Sequence, residues 1–367
     1  MRSFERFILE LLATSVNASR TTTVPLEQLN DDDWTAFLKL AQSQGVGSIV
    51  ADCIQNLPAD AKPPKQVQMV LAVHKIRQEK RYKWQLETAN ELAQSLKDQG
   101  VQMMVLKGIS FSTYYNKPPL RESGDCDIYL GDHFELAHKI INRIGGSYDE
   151  GTYKHSHLYL KGLLIENHRY ITDFHGTKKG IALECLLQKY AKYPADRIEG
   201  TDLVRPNVHF NALHLLRHAQ GNLMLGGMTL RMIYDWTALL KSEQDRIDFD
   251  QLYKDLETFN LRKFAEVLTA ISVTYFGLKL TNPNIAICND ENAVASIIID
   301  VFRNGNHLIP NESFVHKAKR IFARFKRMWR MRDFAIESVP MMIWNSFAFS
   351  SYLKRDIRIK PAEVLQQ

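Results

Sequence analysis

The sequence predicts an α+β protein: a small mixed sheet held between N- and C-terminal helical regions. Three observations lead there. Over residues 1–100, and again from about 205, apolar residues recur at spacings of three and four, the period of a helix. Between those regions the pattern changes to short apolar runs and alternating segments, as strands require. These strand-like runs are too few for a long alternating strand–helix array. The chain therefore divides into a helical region (1–100), a sheet-containing core (101–200) and a second helical region (201–367).

Each element has a local reason. Phe4, Phe7, Ile8, Leu11 and Leu12 lie on one helical face, and Asp31, Asp32 and Asp33 ahead of Trp34 mark an acidic helix start. From Pro64 to Gln99 no glycine or proline intervenes, so one helix of roughly 50 Å is expected, stopped at Gly100. The run 103–106 suits a buried strand, 108–115 a short helix, and 125–130 a second strand. Phe134, Ala137, Ile140, Ile141 and Ile144 set a helix ending at Gly145 and Gly146. Segments 155–160 and 163–168, joined by Lys161 and Gly162, read as a hairpin. Helices follow at 209–224, 228–242, 249–258, 261–276 and 294–302.

Composition excludes several classes. Hydrophobic residues make up 45% and charged residues 24% of the 367, as in soluble globular proteins. Cys53, Cys126, Cys185 and Cys288 form no CxxC pair, which points to reduced thiols in a cytoplasmic protein rather than a disulfide frame or zinc site. No run approaches the ~20 apolar residues of a membrane helix, and Glu10 interrupts the one N-terminal apolar stretch. The net charge of +6 is local: residues 317–332 hold eight basic residues and no acid. Ala318, Ile321, Phe322, Phe325, Met328 and Trp329 give that segment an apolar face. It reads either as a packed helix with a solvated basic side or as a contact for an anionic partner, RNA or an anionic membrane surface. The aromatic stretch 340–353 would dock on the body, on a partner or on lipid.

Asp125 and Asp127 stand one residue apart on a predicted strand, so both point to one face while Cys126, Ile128 and Leu130 point to the other. Paired carboxylates suit a hard divalent cation such as Mg²⁺, which also takes substrate phosphate oxygens. Glu166 supplies a third acid if strand 163–168 lies beside strand 125–130. Two cations on such a triad can stabilise the attacking and leaving oxygens of nucleotidyl transfer. Both aspartates are expected at the surface, where substitution abolishes turnover and spares the fold. Arg121 is either a surface arginine or a phosphate clamp, and Lys107 either ends its strand or reaches a phosphate. His157 and His168 are candidates to line the cleft. His214 and His218 lie one helical turn apart but lack the HExxH of a zinc hydrolase. Arg231 and Asp235, four apart on a helix, are expected to pair with each other.

The Leu-Lys-Gly at 106–108, the segment Arg121-Glu122-Ser123-Gly124-Asp125-Cys126-Asp127, the segment Ile165-Glu166-Asn167-His168 and residues 230–236 resemble the uncharacterised nucleotidyltransferase family of bacteria, a branch of the DNA-polymerase-β-like superfamily. The resemblance runs from about 100 to 240. It implies a polymerase-β-like core in which Asp125 and Asp127 bind both metals and Glu166 binds the catalytic one. It also implies a triphosphate near Gly108, Ser110, Ser123 and Gly124, with Lys107 or Arg121 as charge partner. The chain departs from the superfamily in having Ile109 after Gly108 and a longer gap to Asp125.

The activity expected is Mg²⁺-dependent transfer of a nucleoside monophosphate from a triphosphate, ATP among the candidates, to a hydroxyl, with release of pyrophosphate. Mn²⁺ is the second candidate metal. The acceptor is a small molecule, a sugar derivative, a protein or an RNA end. Two rivals stand beside this reading: a glycosyltransferase whose DxD holds Mn²⁺ on a nucleotide sugar, and a catalytically silent module that binds a nucleotide or a partner.

Overall fold

The long uninterrupted helix forms as α4 (Lys65–Lys97), 33 residues, and the chain reverses at Gly100, whose φ of +76° only glycine adopts freely. The computed structural model describes residues 1–173, 177–304, 325–342 and 344. Ahead of α4 come α1 (Ser3–Val16), α2 (Asp31–Ser43) and α3 (Gly47–Gln55). Asn30, just before the three aspartates, caps α2 by accepting from Asp33 N at 2.9 Å.

The sheet has seven strands among the described residues: β1 (Met103–Val105), β2 (Cys126–Tyr129), β3 (Ser147–Asp149), β4 (His155–Leu160), β5 (Leu163–His168), β6 (Asp196–Arg197) and β7 (Leu203–Arg205). Their spatial order is β3-β4-β5-β2-β1-β7-β6. β2 runs parallel to β5 and antiparallel to β1, while β1 runs parallel to β7. The β4–β5 hairpin turns at Lys161 and Gly162, both at positive φ, as a two-residue turn matching the strand twist requires. Three short strands, β3, β6 and β7, escaped the sequence reading, as did α7 (Lys178–Ala191), and the sheet runs on to Arg205.

Alternation gives the sheet two unlike faces. Cys126, Ile128, Leu158, Leu160 and Ile165 pack with Leu92 and Leu96 of α4 and with Ile140 and Ile141 of α6 (Phe134–Arg143). Met104 and Val204 on the opposite face join a larger cluster built by the helices. That cluster unites the two ends of the chain. Phe7, Trp34 and Phe37 share it with residues of α8 (Val208–Leu225), α9 (Leu230–Glu243), α10 (Phe249–Thr258), α11 (Arg262–Phe276) and α12 (Glu291–Asn304). The N- and C-terminal helical regions, far apart in sequence, thus form one hydrophobic body under the sheet.

Part of the basic segment docks on this body. Met328 and Met331 are buried in it, and Arg327 and Arg330 both pair with the buried Asp300. Trp329, placed on the packed face by its spacing, is instead 58% exposed. Residues 317–324 of the segment, and 343 and 345–353 of the aromatic stretch, lie outside the described residues.

Candidate active site

Asp127 lies on β2 directly opposite Glu166 of β5, and Glu166 lies opposite His157 of β4. The register places Asp127, Glu166, His155, His157 and His168 on one sheet face, the face turned towards the helical body. Asp125 stands two residues earlier on the same strand line. The backbone that carries the two aspartates is tied down from both sides. Leu106 N donates to Asp127 O at 3.0 Å, and Gly108 sits at φ +43° where an added Cβ would be 3.3 Å from Asp125 O. Glycine is needed there because it is the residue that tolerates both the positive φ and the close approach.

From the other side α4 grips the approach to β2. Gln78, Arg81 and Gln85 fall on one helical face, and they donate to Arg121 O at 2.9 Å and to Gly124 O at 2.7 and 3.0 Å. Ser123 Oγ donates to Gln85 at 3.3 Å. This polar face explains why so long a helix lacks a continuous apolar stripe: it binds a loop instead of a core.

Asp127 is 2% exposed, so the expectation of two surface aspartates is corrected for this residue. Its Oδ1 accepts from Lys107 Nζ at 2.6 Å and from His168 Nε2 at 2.9 Å. Burial alone would raise its pKa, but Lys107 and His168 hold the carboxyl well below the usual range. The other nitrogen of His168, Nδ1, faces Tyr170 O at 3.0 Å. Both neighbours are acceptors, so His168 donates from both nitrogens and is an imidazolium. Burial opposes that charge and the bonds to Asp127 and Glu166 outweigh it, raising its pKa. Lys107 is likewise raised, with burial opposed chiefly by Asp127. Asp125 differs: burial first, then the charges of Asp127 and Glu166, push its pKa up.

Glu166 Oε2 lies 3.4 Å from both His168 Nε2 and His155 Nδ1. The contact with His168 is the main reason its pKa is lowered. His155 is pushed down by burial and is neutral, and its buried Nδ1 has no hydrogen-bond partner among the described residues. His155, Glu166 and His168 gather within 4.8 Å of one another, and of these Glu166 and neutral His155 keep lone pairs for a metal. Glu166 and the unpartnered Nδ1 of neutral His155 are donors that fit a divalent cation, with Asp125 and Asp127 on the neighbouring strand line.

The remaining predicted residues lie nearby in other roles. Arg121 is 5% exposed and both arms of its guanidinium are engaged by Asp235, Nε to Oδ1 at 2.7 Å and Nη2 to Oδ2 at 2.8 Å. Its Nη1 also donates to Gly108 O at 3.3 Å. Asp235 takes a third bond from Tyr115 at 2.7 Å. The helical pairing of Asp235 with Arg231 is therefore corrected: Arg231 donates to Glu122 O, which leaves Asp235 to Arg121. Ser110 is fully buried, with no partner for its hydroxyl among the described residues. His157 pairs with Asp149 at 2.9 Å, its ring 5.1 Å from His155.

Sequence reasoning missed Lys154 and Arg217. Both line a cavity of about 280 Å³ beside the acids, together with Lys107, His214, His218 and Asp173. The signal was a polar stripe, His214, Arg217, His218 and Gly221, at helical spacing on the otherwise buried α8.

Residues 30–277 match the model of an uncharacterised nucleotidyltransferase family. The chain belongs to that family. The match opens at Asn30, the cap of α2, and closes at Gly277, the cap of α11, so it takes in the whole sheet, residues 30–100 of the first helical region and residues 201–277 of the second. No curated protein and no solved structure matches the chain. No helix among the described residues is long and apolar enough to cross a membrane.

Proposed function

We propose that the chain transfers a nucleoside monophosphate from a nucleoside triphosphate to an acceptor hydroxyl, with Asp125, Asp127 and Glu166 holding Mg²⁺ or Mn²⁺. The observation that carries this reading is the direct opposition of Asp127 and Glu166 across parallel β2 and β5, with Asp125 beside them, inside the family match. When bound, a pair of divalent cations would neutralise charge on the entering and leaving oxygens.

The chain's own groups supply the rest. The acceptor oxygen forms its bond to the α-phosphorus while the bond to the β-phosphate bridging oxygen breaks, and pyrophosphate leaves with that electron pair. Glu166, ionised at neutral pH, receives the hydroxyl proton. Lys107 and His168 keep Asp127 charged and oriented. The buried Arg121–Asp235 pair fixes Gly108 against the strand that carries the acids.

The test uses triphosphates labelled at the α-phosphate, with Mg²⁺ and pools of hydroxyl acceptors. Label should move to an acceptor with wild type and not with Asp125→Asn. Equal transfer by both proteins would refute the assignment.

A further inference from the structure

The turn at Gly108 is a poor place for the rest of the triphosphate. Arg121 is bound by Asp235, and Gly124 O and Ser123 are bound by α4. The cavity on the α8 side of the acids is different in kind. It begins at Lys107, which also touches Asp127, and adds the cations Lys154 and Arg217. Asp173 contributes a carboxylate, 3.4 Å from Lys154.

Arg217 donates to Asp173 O at 2.8 Å and to Gln220 Oε1 at 3.0 Å, both uncharged partners, and among the described residues no carboxylate lies at ion-pair distance. Its Nε is buried without a partner among the described residues. So is Nδ1 of His214, a side chain 3% exposed in the cavity wall. Buried polar atoms without partners are costly. Gly221, inside α8, makes room: an added Cβ would be 2.8 Å from Arg217 Nη1.

Resting on the nucleotidyl-transfer reading, we propose that this cavity receives the β- and γ-phosphates and holds the pyrophosphate as it leaves. Size supports a phosphate chain rather than a whole nucleotide, since about 280 Å³ falls below the roughly 300–1,000 Å³ of pockets that enclose complete ligands. Charge supports it too. Lys107 and Arg217 offer donors to several phosphate oxygens, and neutral His214 and His218 add hydrogen bonds without added repulsion. The position fits the chemistry, because the leaving group must begin beside the acids and depart from them.

The experiment is calorimetric titration of the full chain with inorganic pyrophosphate, in the presence of Mg²⁺, for wild type, Arg217→Gln, Lys154→Gln and Gly221→Ala. Wild type should bind, and the two charge-removing variants should bind more weakly by roughly tenfold or more. Gly221→Ala leaves every donor in place and pushes Arg217 aside, so a loss there supports the site even if Arg217→Gln folds poorly. Equal affinity in all four proteins overturns the proposal. The two readings fail separately. Unchanged KM for triphosphate in Arg217→Gln, with transfer intact, rejects the cavity alone. Pyrophosphate binding that depends on Arg217, with no transfer by wild type, retains an anion site and rejects the transferase reading.

Discussion

Lys107 places its ammonium 2.6 Å from Asp127 Oδ1, the same oxygen that accepts from His168. A buried carboxylate with two cationic partners is part of the fold as well as of the site. Asp127→Asn leaves Lys107 and His168 facing a neutral amide and should lower stability by about 3 kcal/mol. Asp125, crowded by burial and by two other acids, loses little as asparagine, and Asp125→Asn should unfold within about 0.5 kcal/mol of wild type. Urea unfolding of the two variants checks the contrast, and equal midpoints would contradict it.

The Arg121–Asp235 pair gives a second prediction. Both side chains are about 5% exposed or less, and the geometry is bidentate. Arg121→Met strands the Asp235 charge and should cost about 3–5 kcal/mol. Arg121→Lys should recover only part of that, because a point charge cannot span both oxygens. Thermal unfolding reads both variants, and full recovery by lysine would show that geometry is unimportant.

Stability should also depend on pH through His74, whose Nε2 lies 2.9 Å from Glu122 Oε1. The bond to Glu122 is the main reason its pKa is raised above 6.5. A raised folded-state pKa means that the contribution is complete below the unfolded value and is lost as pH rises through the folded one. Stability measured upward from pH 6 should therefore decline, and His74→Gln should remove that part of the decline. An unchanged pH profile in His74→Gln would sink this assignment.

The donor set predicts a metal preference. Imidazole nitrogens favour Mn²⁺ over Mg²⁺, and His155 Nδ1 lies 3.4 Å from Glu166. Wild type should bind Mn²⁺ more tightly by calorimetry, and His155→Ala should narrow the difference by roughly tenfold. An undiminished difference would remove His155 from the metal site.

Much of this arrangement was legible locally. The alternation around Asp127, the Lys161-Gly162 turn and the unbroken run after Pro64 each state their structure within a few residues. What stayed hidden is what the chain brings together over distance. Arg121 and Asp235 are 114 residues apart, so helical spacing offered Arg231 as the nearer partner. Lys154 and Arg217 meet only because α8 packs against the acid-bearing face of the sheet, and no local period encodes that meeting. The short strands β3, β6 and β7 lack enough residues to display alternation, and pairing with neighbours defines them. Burial of Asp127 was missed for a related reason: an acid on a strand reads as solvent-facing until its Lys107 and His168 partners are in place.

Calorimetric binding of each nucleoside triphosphate to wild type and Asp125→Asn, with and without Mg²⁺, decides whether these acids form a metal-dependent nucleotide site. Binding should require Mg²⁺ and be lost in Asp125→Asn while the fold is retained. Binding that ignores Mg²⁺, or that is equally tight in the variant, would contradict a metal-dependent nucleotidyl-transfer site at these acids.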